Sequence, residues 1–184
     1  WAGENGLVPE DPLKRIEKPK KEQKVPAHLT PDQLDRLLEY VDWHADNVKT
    51  AAGATADLQW LRDAIVIALA TGLRRGELVN LLWKDVDLIE KRIHVRNRDD
   101  FKTKSGSERM VPVRGPALEV LRRRKTEEDP TMDEHVLIDQ RGKAVLPGRL
   151  THRFKDMVRG AKLKNRERLS FHSLRHSCGA WLAS

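Results

Sequence analysis

The chain predicts an α+β fold that is mostly α-helical, with one small antiparallel sheet or hairpin. Three observations predict it. Apolar residues recur at helical spacing in several segments, as in Leu34, Leu37, Leu38 and Val41. Two short runs, Arg92–Arg96 and Arg109–Val113, alternate in polarity as strands do. A turn rich in lysine and glycine, Asp99–Glu108, joins those two runs.

Residues 1–28 carry Pro9, Pro12, Pro19 and Pro26 and the basic run Lys14–Lys21, without apolar periodicity. They read as an extended linker. Thr30-Pro31-Asp32-Gln33 is a helix start: Thr30 caps, Pro31 suits the first helical position and Gln33 completes a capping box. Residues 45–56 are small and polar and read as a loop. From Asp57 to Ala70 runs a helix whose second half, Ala64–Ala70, is wholly apolar, which places it at the centre of a core. Gly72 ends it in a left-handed cap.

Residues 75–83 predict a short helix. After the hairpin come a helix from Pro116 to about Lys125, a third short strand at Val136-Leu137-Ile138, and a helix marked by Leu150, Phe154, Met157, Val158 and Ala161. A basic loop with Lys162, Lys164, Arg166 and Arg168 leads to the last helix. There Ser170 serves as N-cap, and Phe171, Leu174, Cys178, Trp181 and Leu182 form an apolar stripe. Pro112 puts the second strand at an edge or an end.

The 184 residues suit one domain, or one domain with an attached linker. Thirty-five Lys and Arg against 28 Asp and Glu leave a net charge of +7, which favours a polyanionic partner, nucleic acid first. The single cysteine, Cys178, excludes an intrachain disulfide framework and reads as a small buried hydrophobe. No apolar run approaches a membrane span. No H-E-x-x-H and no cysteine pair offers a zinc site, and neither a P-loop nor a G-x-G-x-x-G appears, so no cofactor is expected. The start at Trp1 rather than methionine fits an excised piece of a longer protein.

Two stretches carry chemistry. The first is Thr71-Gly72-Leu73-Arg74-Arg75-Gly76-Glu77-Leu78, followed by Leu82-Trp83-Lys84-Asp85-Val86-Asp87. The second is His172-Ser173-Leu174-Arg175-His176-Ser177-Cys178-Gly179-Ala180-Trp181-Leu182. His172 and Arg175, three apart near a helix N-terminus, share a face and suit a phosphate.

Together these stretches resemble the boxes of the tyrosine recombinases, the phage-integrase family: T-G-L-R-x-x-E-L with L-x-W-x-D-[IV]-[DN], then H-D-L-R-H-[TS] with W-L. The resemblance covers nearly the whole chain. It implies a tyrosine recombinase catalytic-domain fold over residues 29–184, with residues 1–28 linking to a separate N-terminal DNA-binding domain. It also implies site-specific recombination of double-stranded DNA through a 3′-phosphotyrosyl intermediate, by four protomers on two duplexes, in the cytoplasm, without metal or nucleotide. A fragment alone would be a monomer.

The same resemblance makes Arg74 and Arg175 the phosphate-clamping arginines, Arg74 rather than Arg75 because it lies three before Glu77, which would orient it. Arginine suits the task because its planar charged fork bonds two oxygens at once. His172 becomes a proton-transfer or hydrogen-bonding group, and His176 a structural residue. Lys104, in a Lys-Ser-Gly turn, is the candidate general acid, with Lys102 its rival and also a DNA contact; Arg109 is a supporting DNA contact. The family's nucleophilic tyrosine has no match. Tyr40, the only tyrosine, faces the core of an early helix, so the chain as given is expected to lack covalent cleavage. Two other readings stay open: a non-catalytic DNA-binding protein derived from the family, and a type IB topoisomerase-like enzyme.

Overall fold

A computed structural model describes residues 5–6, 26–49, 57–103 and 106–182. The expected linker over 1–28 lies almost wholly outside the described residues, as does Lys104.

Helix α1 spans Pro31–Asn47, and its capping box is present: the Thr30 N–H donates to Gln33 Oε1 at 3.1 Å and the Gln33 N–H to Thr30 Oγ1 at 3.3 Å. It runs into the segment expected to be loop from residue 45. The Asn47 side chain donates to the Trp43 carbonyl at 2.8 Å, satisfying a carbonyl of the last turn. Helix α2, Gln59–Thr71, is the central element and packs on α1, α4 (Gly115–Glu128) and α6 (Phe171–Leu182). Leu61, Ala64, Ile65 and Ile67 are completely buried, as an all-round apolar helix requires.

A buried ion-pair network shares that core. Asp63 of α2 is fully buried and accepts from Arg123 at 2.6 Å, Arg124 at 2.8 Å and Gln59 at 2.9 Å. Arg124 is itself buried and donates onward to the Val136 carbonyl at 3.0 Å. A carboxylate in the core is tolerable only with such partners, and the network ties α2 to α4 and to the segment after it.

Helix α3 is confined to Arg75–Val79, shorter than the expected 75–83. Asn80 ends it, folding its side chain back onto the Gly76 carbonyl at 2.8 Å. A 3-10 turn at Trp83–Asp85 follows. The sheet has the order β1 (Val86–Asp87), β2 (Arg92–Val95), β3 (Arg109–Pro112), all antiparallel, with Ile93 opposite Val111. The expected third strand at 136–138 is not one. That segment makes only isolated bridges, Leu82 with His135 and Ile138 with Ala144, and the third strand is instead β1. Two residues are too few to show alternation, whereas Val136 and Leu137 are apolar because they are buried beside Arg124.

Helix α5 spans Pro147–Gly160 and packs on α1, α3 and α6. Tyr40 of α1 lies so close to Gly160 that any side chain there would overlap its ring. The stripe of α6 is buried only in its first half. Phe171 meets Phe154 edge-on at 5.5 Å and Leu174 is fully buried, but Leu182 is 83 % exposed, with nothing among the described residues covering it. No helix among the described residues is long and apolar enough to cross a membrane.

Candidate active site

The site begins where α2 stops. Gly72 takes the left-handed conformation, φ 62°, and its N–H closes the helix on the Ala68 carbonyl at 2.9 Å. Buried Leu73 then pins the chain, and Arg74 enters as the residue capping α3. The Arg74 N–H donates to Glu77 Oε2 at 2.8 Å, and its guanidinium donates to Oε1 at 3.0 Å. The expected bond between Glu77 and Arg74 is thus present.

Glu77 is nearly inaccessible and serves a second arginine. Arg109 of β3 donates to both of its oxygens, at 3.0 and 2.6 Å. Burial alone would raise the Glu77 carboxyl. The hydrogen bonds from Arg109 and Arg74 outweigh it and hold the group at about 2, against an ordinary 4.5. A buried carboxylate that is ionised at neutral pH therefore fixes two guanidinium groups from two elements.

The last helix is seated by its serines. The Ser170 N–H donates to Ser173 Oγ at 3.1 Å, and Ser177 Oγ accepts the Leu29 N–H at 2.8 Å while donating to the Ser173 carbonyl at 2.9 Å. This leaves Arg175 facing the end of α2, where its guanidinium donates to the Gly72 carbonyl. Cys178, one turn on, is half-buried rather than buried. Its sulfur lies 3.4 Å from where a Gly72 side chain would begin, and burial pushes its thiol up against a smaller opposing effect of Arg175. The exposed His172 ring stands edge-on to His176 at 4.7 Å.

These elements enclose a cleft of about 850 Å³. Among the described residues its lining includes Arg74, Arg75, Lys102, Thr151, His172 and Arg175, with Glu77 the one carboxylate. Four cationic side chains against that single carboxylate, itself already bonded to two arginines, leave a surplus of positive charge suited to an anion. Of the residues singled out from the sequence, the structure brings Arg74, Lys102, His172 and Arg175 into one cleft. Lys104 lies outside the described residues. Arg109 is not part of the lining; its guanidinium sits behind, on Glu77.

Sequence reasoning missed Thr151, whose hydroxyl accepts from Arg75 at 2.7 Å across 76 residues. No local spacing could reveal such a pair. It also missed the Arg109–Glu77 chelate, whose partners lie 32 residues apart on a strand and a helix. Among the described residues, no group of His, Cys, Asp and Glu is placed to hold a metal ion.

The structure is an α+β domain whose basic cleft brings two motif arginines and a histidine together. Comparison with known proteins gives its lineage: residues 27–184 match the model of the phage integrase family, and the chain belongs to that family. The tyrosine recombinase XerC of Corynebacterium glutamicum is 31 % identical over 189 residues, covering 99 % of this chain and 54 % of the relative. XerC of Mycobacterium sp. (strain KMS) is 29 % identical over 192 residues, covering 99 % and 58 %. In fold, the chain is similar to a lambda integrase tetramer bound to a Holliday junction, with a TM-score of 0.71 at 19 % identity over 97 % of this chain and 48 % of that one. The chain spans about half the length of the curated relatives it matches.

Proposed function

We propose that this chain is the greater part of the catalytic domain of a tyrosine-type site-specific recombinase acting on double-stranded DNA. The observation that carries the reading is the convergence of Arg74, His172 and Arg175 on one basic cleft. Displacement at a phosphodiester builds negative charge on the non-bridging oxygens, and preorganised cations aimed there are the strongest lever a protein has. In this reading Arg74 and Arg175 hold those oxygens and His172 hydrogen-bonds or passes a proton beside them. Lys104, with Lys102 as its rival, donates a proton to the departing 5′ oxygen, and Arg109 supports DNA binding through the Glu77 clamp.

The attacking tyrosine comes from outside these 184 residues. Tyr40 packs against Gly160 and stacks on Trp43 at 5.6 Å, in the α1–α5 contact rather than in the cleft lining. The protein, of bacterial or phage origin, cleaves one strand through a 3′-phosphotyrosyl bond and rejoins it to another in the cytoplasm. It works as four protomers on DNA, as the tetramer of lambda integrase on a Holliday junction suggests. Residues 1–28 tether an N-terminal DNA-binding domain.

The test is a nicked duplex that traps the covalent complex. The full-length protein should become linked to the 3′ end, and Arg175→Ala should abolish the link. Tight DNA binding with no covalent complex would favour a non-catalytic DNA-binding protein. Relaxation of supercoils without recombination would favour topoisomerase chemistry.

A further inference from the structure

The side chain of Asn97 ties the chain after β2 to the approach to β3. Asn97 lies two residues after β2. Its Oδ1 accepts the Thr103 N–H at 2.8 Å and its Nδ2 donates to the Gly106 carbonyl at 2.8 Å. Its own N–H donates to Glu108 Oε1 at 2.9 Å. Thr103 is buried, donates its hydroxyl to the Ser107 carbonyl at 3.1 Å and accepts the Gly106 N–H at 2.9 Å.

The preceding residues are fixed as well. Arg98 donates to Asp85 at 2.8 Å and to the Asn80 carbonyl at 2.6 Å, and its backbone exchanges two hydrogen bonds with Phe101. Phe101 and Lys102 then enter the lining of the cleft. Only an amide side chain offers an acceptor and a donor from one short planar group, which is what bridging an N–H and a carbonyl across a turn requires.

We infer that Asn97 is a positioning residue for the segment Lys102–Thr103, setting the point from which the proton donor reaches the cleft. The inference rests on the proposed recombinase reaction. Asn97 does not line the cleft and acts only through the turn. Thr103 is peptide-bonded to Lys102 of the cleft lining, so anchoring it fixes the main chain from which that side chain springs.

In the step concerned, the tyrosine hydroxyl gives its proton to a base, His172 in the proposed reading, as its oxygen bonds to phosphorus and the bond from phosphorus to the 5′ oxygen breaks. The ammonium proton passes to that oxygen, leaving a neutral lysine. A donor displaced by about an ångström loses much of its effect, because proton transfer demands hydrogen-bond reach.

A leaving group that needs no proton isolates this role. The experiment compares strand cleavage by the full-length protein on an ordinary duplex and on one carrying sulfur in place of the bridging 5′ oxygen. A thiolate departs unprotonated. Asn97→Ala should slow cleavage of the oxygen substrate about 10- to 100-fold, less than outright loss of a general acid, and slow the sulfur substrate less than about threefold. Asn97→Asp keeps the acceptor for Thr103 but loses the donor to Gly106, and should show the same oxygen-selective loss in smaller degree. It gives a second reading should the alanine variant unfold. Equal slowing on both substrates, or no slowing on either, overturns the inference. A wild-type protein inert toward both overturns the recombinase reading and this inference with it.

Discussion

The guanidinium of Arg175 donates to the main-chain carbonyl of Gly72, two residues before Arg74 and 103 residues away in the chain. This bond joins the two motif stretches. It makes the cap of the central helix the hinge on which both arginines are set.

Gly72 is therefore a position where a single methyl should act on both stability and the site. Its φ of 62° is costly for any other residue, and an added Cβ would meet the Cys178 sulfur at 3.4 Å. Gly72→Ala should destabilise the chain by about 1–2 kcal/mol from backbone conformation alone. It should also displace α6 and weaken DNA binding. Urea unfolding and DNA titration of the same variant check both effects.

The Glu77 clamp carries a pH signature. Its carboxyl is held at about 2 against an ordinary 4.5, so the folded state binds its proton more weakly than the unfolded state. A depressed value contributes stability that is complete above the unfolded pKa and is lost as pH falls through the folded one. The clamp should thus loosen between about pH 4.5 and 2. Glu77→Gln should remove that acid limb and cost about 1.5–3 kcal/mol at neutral pH, the range for hydrogen bonds to a charged group. Urea midpoints measured across that pH range test both.

Much of the fold was legible in the sequence because its signals are local. The Thr30–Gln33 box, the all-apolar half of α2 and the glycine after it each predict their own structure, and each is found. The site was legible for the same reason at Arg74, His172 and Arg175, whose neighbours in the chain define them. What was not legible depends on distance. β1 exists because Val86 and Asp87 pair with Ile93 and Arg92, not because of their own pattern. Val136-Leu137-Ile138 resembles a strand because Val136 and Leu137 are buried, although the segment makes only isolated bridges rather than a ladder. Thr151 and the Arg109 chelate are pairings that only the folded chain creates.

Arg75 tests the breadth of the cleft. It is tethered to Thr151 and lines the cleft beside the two motif arginines. The logarithm of affinity for duplex DNA should fall with that of salt by about 0.9 per phosphate neutralised. Arg75→Ala should weaken binding evenly across sequences and flatten this slope by about one. Affinity titrations at several salt concentrations read the change directly.

The central claim is that Arg74 and Arg175 neutralise charge on one scissile phosphate. The most direct measurement replaces a non-bridging oxygen of that phosphate with a methyl group, which removes its charge, and follows strand cleavage by the full-length protein. On the ordinary phosphate, Arg74→Ala and Arg175→Ala should each lose about 10²–10³ in rate, the range for deleting one preorganised donor. On the neutral methylphosphonate the same losses should shrink to below about tenfold, because one charged oxygen is gone and less negative charge remains to be held. Equal losses on both substrates would contradict the account.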